Sequence, residues 1–275
     1  MDNIDNYIHL IEEISLNAWP SHKMELYDGW LIHFSYNYTH RTNCVNLVAP
    51  STLPLEEKIA FCESEYLNAH TPAIFKISPF EPETFDTLLE NQGYEKQHIT
   101  DVLTMPLTSF HPYSSISAEY EFYQRNSGLP SFVAYPNNVL VQLCDTITDD
   151  WITSLFRLNG TTNPTHLRIV PSMFKAIPKQ TIVARIEVDG RMVASGLGIL
   201  DRNHIGLYAI YVEASCRRKH FGQAICSTII SEAMKLGASH AYLQVKANNH
   251  GARKLYERLG FQYLYTYWFR AKKLF

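Results

Sequence analysis

Tyr208-Ala209-Ile210-Tyr211-Val212-Glu213-Ala214-Ser215-Cys216-Arg217-Arg218-Lys219-His220-Phe221-Gly222-Gln223-Ala224 decides how this chain folds. Tyr208 to Val212 is apolar and rich in residues that favour a pleated strand. Behind the basic turn, Ala224, Ile225, Thr228, Ile229, Ala233 and Leu236 recur at helical spacing and predict a helix with one apolar side. Gly237 stands where such a helix ends. Beyond it, residues 241–245 predict a strand, Asn248-Asn249-His250-Gly251 a loop, and Ala252 to Leu259 a second helix closed by Gly260. Strands alternating with helices in this way predict an α/β layer.

The turn has the chemistry of an anion site. A helix start presents unpaired N–H groups and the positive end of a dipole. Arg217, Arg218 and Lys219 precede it, and Gly222 lets a ligand approach the backbone closely. A phosphate or pyrophosphate suits such a place, but a solvated basic turn before an ordinary helix has the same residues. The downstream segment separates these readings. Asn249-His250-Gly251-Ala252-Arg253-Lys254-Leu255-Tyr256-Glu257-Arg258-Leu259-Gly260-Phe261 resembles the N-x-x-A-x-x-L-Y-E-K-x-G-F signature of the GNAT superfamily of acyl-CoA-dependent N-acetyltransferases. The turn is similar to that family's coenzyme A loop, R/Q-x-x-G-x-G/A, with Arg217 first and Gly222 last. One position departs: the loop's first Gly is His220, a residue type that tolerates a left-handed backbone better than most. The resemblance covers roughly residues 134–270.

The resemblance implies a GNAT-type fold, α/β of the mixed α+β kind, and transfer of an acetyl group from acetyl-CoA to an amine. It implies that the segment Arg217, Arg218, Lys219, His220, Phe221, Gly222 and Gln223 holds the pyrophosphate of coenzyme A. Ile210, Tyr211 and Val212 would run beside the pantetheine arm, and Asn249 and Ala252 would contact it. A strand N–H near Ile210 would stabilise the developing oxyanion. Tyr256 would protonate the leaving thiolate; at helical spacing from Ala252 and Leu259 it also reads as a packing residue. The family's carboxylate position on the central strand is Gly206 here. His204 is nearby, Glu213 is the nearest carboxylate downstream, and deprotonation through water is the other route. This reading needs no metal.

Composition narrows the classes. The 275 residues, 46% hydrophobic and 13% aromatic, describe a well-packed chain of one large or two ordinary domains. No apolar run is long enough to cross a bilayer, and Met1-Asp2-Asn3-Ile4-Asp5 carries acid where an export signal carries base. Cys44, Cys62, Cys144, Cys216 and Cys226 are scattered, odd in number and form no C-x-x-C pair, which predicts free thiols in the cytoplasm. A net charge of −3 argues against a nucleic-acid partner. The charge is uneven: residues 213–275 hold eleven Lys and Arg against three Glu, a surplus of +8 that leaves −11 elsewhere. A basic C-terminal segment suits a polyanionic cofactor.

Along the chain, residues 3–18 predict an amphipathic helix. Strands follow at 31–36 and 42–48, a helix at 54–68, a strand at 73–77, a helix at 83–91 and a strand at 99–107. This β-β-α-β-α-β order copies that of the C-terminal half, and Leu88-Leu89-Glu90-Asn91-Gln92-Gly93-Tyr94 lies over Leu255 to Phe261. The pattern predicts a tandem of a degenerate N-terminal copy, residues 1–110, and a catalytic domain, residues 134–275, although two unrelated α/β segments can coincide this far. The N-terminal turn, Ala49-Pro50-Ser51-Thr52-Leu53, lacks glycine and base, and Pro82 and Leu89 stand at the positions of Asn249 and Tyr256. Residues 111–133 read as a linker, with a short helix around Ser117 to Asn126. Asp149 or Asp150 is the expected cap of a helix to Leu158; a further helix, 164–177, is expected to break near Pro171; Asp189-Gly190 predicts a hairpin turn. The expected function is an N-acetyltransferase acting on a small-molecule or peptide amine, with no nucleic-acid or membrane partner. A non-catalytic acyl-CoA-binding regulator is the alternative, and aminoacyl transfer from tRNA a third reading.

Overall fold

The computed structural model of the protein describes residues 3–112, 131–135 and 139–275. Contacts divide the chain into two compact units. The first is Met1–Ala18, Leu103–Val245 and Asn249–Leu264; the second is Trp19–Val102, Lys246–Asn248 and Tyr265–Phe275. Helix α1, Asn3–Ala18, belongs to the first and buries Ile8, Ile11, Ile14 and Ala18, the apolar side that its spacing predicts.

The second unit opens with β1 (Lys23–Tyr27), a strand that the sequence pattern does not announce because most of its side chains lie exposed. It pairs antiparallel with β2 (Trp30–Phe34), which pairs antiparallel with β3 (Val45–Leu47). Then come α2 (Leu55–Asn68), β4 (Ala73–Ile77) parallel to β3, α3 (Glu83–Asn91) and β5 (Glu95–Pro106). Trp30, Ile32, Ile59, Tyr66, Phe75, Phe85 and Leu89 form the core.

In the first unit, β6 (Ser131–Tyr135) begins within the segment expected to be linker. The helix expected around Ser117 to Asn126 lies outside the described residues. β7 (Val139–Cys144) pairs with β6, and α4 (Asp149–Asn159) follows. Its cap is Thr148, whose side chain accepts from the Trp151 N–H, rather than Asp149 or Asp150, which fall in the first turn. Helix α5 (Pro164–Lys175) continues through Pro171 instead of breaking there. Buried Ile169, Val170, Met173 and Phe174 anchor it on both sides of the proline, which offsets the lost N–H. β8 (Gln180–Val188) and β9 (Arg191–Asp201) form the predicted hairpin, with Asp189 and Gly190 both at positive φ, 52° and 70°. The remaining elements are β10 (His204–Val212), α6 (Phe221–Lys235), β11 (His240–Lys246), α7 (His250–Leu259) and β12 (Gln262–Lys272). Ala224, Ile225, Ile229 and Ala233 of α6 share one core with Ile205, Leu207, Ala241 and Leu243 of the strands.

The repeat is therefore one strand longer than the sequence predicts. β1-β2-β3-α2-β4-α3-β5 and β8-β9-β10-α6-β11-α7-β12 share order, and in both the pairings run antiparallel, antiparallel, parallel. The final strands change company. Trp268 to Lys272 of β12 pair with Ile77 to Ala73 of β4 inside the second unit, and Leu103 to Pro106 of β5 belong to the first. The compact units thus interleave along the sequence, where the expected division into 1–110 and 134–275 is consecutive. Among the described residues no helix is long and apolar enough to cross a membrane.

Candidate active site

β10 and β11 pair in parallel from His204 with His240 to Leu207 with Leu243, and the ladder stops there. On its other side, β10 slips against β9: Tyr208 pairs with Leu197, but Tyr211 pairs with Ser195. The slip includes Ala209, at φ 48°, whose carbonyl accepts from Ser195 Oγ at 2.9 Å. A bulge of this kind bends a strand and re-aims the residues after it. The end of β10, the start of α6 and one side of α7 then line a cleft of about 870 Å³.

Its floor is the basic turn. Arg218 and His220 both take left-handed backbone, φ 62° and 61°. Helix α6 starts at Phe221, earlier than the apolar spacing from Ala224 predicts, with His220 as its cap residue accepting from Ala224 N at 2.9 Å. Such a turn aims successive N–H groups at one point, an anion-binding geometry. His220 Nδ1 lies 3.2 Å from Gln223 Oε1, so the ring sits along the first helical turn. Gly222 lines the cleft and has a packing role as well. It is inside α6, and a Cβ there would lie 3.1 Å from Leu255 Cδ2, so its small size serves the packing of α6 on α7. The lining cations are Arg217, Arg218, Lys254 and Arg258; no carboxylate lines the cleft among the described residues.

Tyr256 is buried in the wall, with its ring edge-on to Phe261 at 6.0 Å. Burial pushes its hydroxyl pKa far above the ordinary phenol value, with Cys226 and Tyr211 adding to the same direction. The hydroxyl therefore stays protonated at neutral pH. Asn249 caps α7: its Oδ1 accepts from Ala252 N at 3.2 Å. No candidate base enters the cleft. Glu213 is held by Arg191, 2.7 Å from Nη2 to Oε2, and by Ser215. His204 is buried against His240, with rings stacked at 4.9 Å, and its pKa is lowered to about 4 by burial and by His240. A Cβ at position 206 would meet the Tyr242 ring at 2.6 Å, so Tyr208 and Tyr242, joined hydroxyl to hydroxyl at 2.8 Å, fill that space.

The sequence model of the acetyltransferase (GNAT) family matches residues 144–261. These residues are a GNAT-family acetyltransferase domain. Across nearly the whole chain, the sequence is 22% identical to YobR of Bacillus subtilis strain 168, named an uncharacterized N-acetyltransferase, covering 97% of this chain and 99% of that one. The fold is similar to a GCN5-related N-acetyltransferase from Kribbella flavida, with TM-score 0.65, 14% identity, and coverage of 96% and 95%. It is also similar to a tandem GNAT protein from the clavulanic acid biosynthesis pathway, with TM-score 0.60, 10% identity, and coverage of 83% and 74%. These two likenesses concern the fold alone.

Within the GNAT domain, Ile210, Tyr211, Val212, Arg217, Arg218, His220, Phe221, Gly222, Gln223, Asn249, Ala252 and Tyr256 converge on the one cleft. Lys219 does not; it lines a neighbouring cavity of about 500 Å³ with Val139, Glu187 and Val188. Sequence reasoning missed Leu158 on α4, which gives no signal before folding, and Lys254 and Arg258 on α7. Those two had a signal, a pair of cations four apart on one helix.

The equivalent turn of the second unit is closed by its own chain. Asp28, in the β1–β2 turn, accepts from the N–H groups of Thr52 and Leu53 at 3.0 Å and from Thr52 Oγ1 at 2.8 Å, just before α2. The Leu53 N–H leads in holding its carboxyl well below the usual range. Buried Lys58 reaches Asp28 Oδ2 at 3.2 Å and lies over the Trp30 ring. A Cβ on Gly29 would sit 2.4 Å from the Ala49 carbonyl, so the loop closes only over glycine. An internal carboxylate stands where an external anion would.

Proposed function

We propose that the chain is an acyl-CoA-dependent N-acetyltransferase that moves an acetyl group from acetyl-CoA to the amine of a small molecule or peptide. One observation carries the reading: a cleft with four cations and no carboxylate opens where β10 leaves β11, above a helix start. These residues fit a long ligand that is anionic at one end and apolar along its arm. The N–H groups from Arg218 to Gly222, with Arg217 and Arg218, hold the pyrophosphate. Ile210, Tyr211 and Val212 flank the arm, and the backbone N–H of Ile210 donates to the thioester oxygen as charge develops on it.

Acetyl-CoA supplies the acyl group on a thiol leaving group. Tyr256 gives that sulfur a proton, and the tyrosinate left behind regains one through water; burial keeps the hydroxyl protonated until then without making it a stronger acid. With Glu213 paired and position 206 filled, the amine loses its proton to water. The five cysteines are free, which supports a reducing, cytoplasmic setting. The same lack of a base favours a second reading, a binder of acyl-CoA without turnover. Calorimetry with coenzyme A tests the shared premise. Wild type is expected to bind, and Arg217→Glu to weaken binding on the order of tenfold by placing a carboxylate beside phosphate. Unchanged affinity in Arg217→Glu contradicts the assignment of the turn.

A further inference from the structure

The turn accounts for two of the four lining cations; the other two stand on a different element. Lys254 and Arg258 lie one turn apart on α7, both exposed, and both line the cleft. Neither forms an ion pair with a described residue, although Glu257 is their neighbour in sequence. The contact of Gly222 with Leu255 sets this helix directly against the first turn of α6. The cleft therefore has a second pair of cations inside a helix, where the backbone N–H groups are taken up by the helix and only the side chains reach a ligand.

A pair of long cations without a backbone cradle matches a compact dianion reached from one side. Coenzyme A carries one such group apart from its pyrophosphate, the phosphomonoester on its ribose. We infer that Lys254 and Arg258 bind this 3′-phosphate and so make the cleft select coenzyme A over its dephosphorylated form. The inference rests on the proposed function. It adds a binding role for two residues that the motif comparison leaves unassigned. Phosphate on an exposed pair is screened by salt, so the preference falls as ionic strength rises.

The test is a cycle of protein and ligand. Coenzyme A and dephospho-coenzyme A are titrated into wild type and into the double variant Lys254→Ala, Arg258→Ala by calorimetry at low salt. Wild type is expected to prefer coenzyme A on the order of tenfold, the effect of charge-assisted hydrogen bonds at an exposed site. The double variant is expected to bind both ligands with the affinity that wild type shows for dephospho-coenzyme A. That last affinity also reports an intact fold. Retention of the preference by the variant overturns the inference, as does an equal loss for both ligands, which would place the cations on the pyrophosphate. If wild type binds neither ligand, the proposed function fails and the inference with it.

Discussion

At the scale of the residue, the proposed reaction turns on Tyr256. Its hydroxyl is buried, strongly raised in pKa, and among the described residues accepts or donates no hydrogen bond. Tyr256→Phe keeps the ring against Phe261 and removes only the proton donor. Turnover is expected to fall about 10²–10⁴-fold, or less because a thiolate already leaves readily, with little change in the Michaelis constant for acetyl-CoA. Turnover within about twofold of wild type would make the residue a packing group. His220 is the second residue to probe. Its left-handed backbone is what a glycine adopts freely, and its ring contacts Gln223. His220→Gly is expected to preserve or improve coenzyme A affinity; a loss that deepens at low pH would show instead that the ring bonds phosphate. The sequence made most of these residues legible because motif positions fix them one by one. Lys254 and Leu158 escaped because a motif records which residues recur, whereas a cleft gathers whatever side chains the fold brings to it; Arg258 stands at the signature's basic position, but the signature does not say that it faces the cleft.

At the scale of the element, the two helix starts show one physical need met in two ways. The turn before α6 lines an open basic cleft, and the N–H groups before α2 are satisfied by Asp28. The sequence shows that the N-terminal turn lacks glycine and cations, but not that a carboxylate from a different turn occupies it. Asp28→Asn is expected to lower the melting temperature of the second unit, since Lys58 loses its buried counter-charge. Because the folded carboxyl lies below its unfolded value of 3.8, its contribution is present above that pH and lost as pH falls further. An unchanged melting profile would show the plug to be incidental. The histidines act in a higher window. His33 and His204 are both lowered to about 4 by burial, so each favours folding above the ordinary value of 6.5 and ceases to as pH falls towards 4. Denaturant midpoints are expected to fall between pH 7 and 5, and His204→Gln to flatten part of that slope. A flat wild-type profile would contradict it. Helix and strand types were legible from periodicity, whereas edge strands such as β1 and β6 were not, since an exposed edge leaves little apolar alternation to read.

At the scale of the molecule, the sequence reading recovers the repeat but not its interleaving. Nothing in the local pattern of Tyr265 to Lys272 says that this strand joins β4, because strand partners are chosen by topology. The choice has an energetic consequence. Arg270 is buried and holds Asp86 of α3 through two bonds, 2.7 and 3.0 Å, so the last strand belongs to the core of the second unit. Deleting residues 265–275 is therefore expected to expose residues 19–102 to limited proteolysis; protection equal to that of the full chain would contradict the interleaving. The proposed function is that the basic cleft beside α6 moves an acetyl group to an amine. Its most direct measurement is the release of free thiol from acetyl-CoA in the presence of a panel of primary amines, followed together with the mass of the acetylated products. Thiol release matched by an acetylated amine is expected in wild type, and sharply reduced release in Arg217→Glu. Tight binding of acetyl-CoA with no amine-dependent thiol release across the panel would contradict it and leave a binding protein in its place.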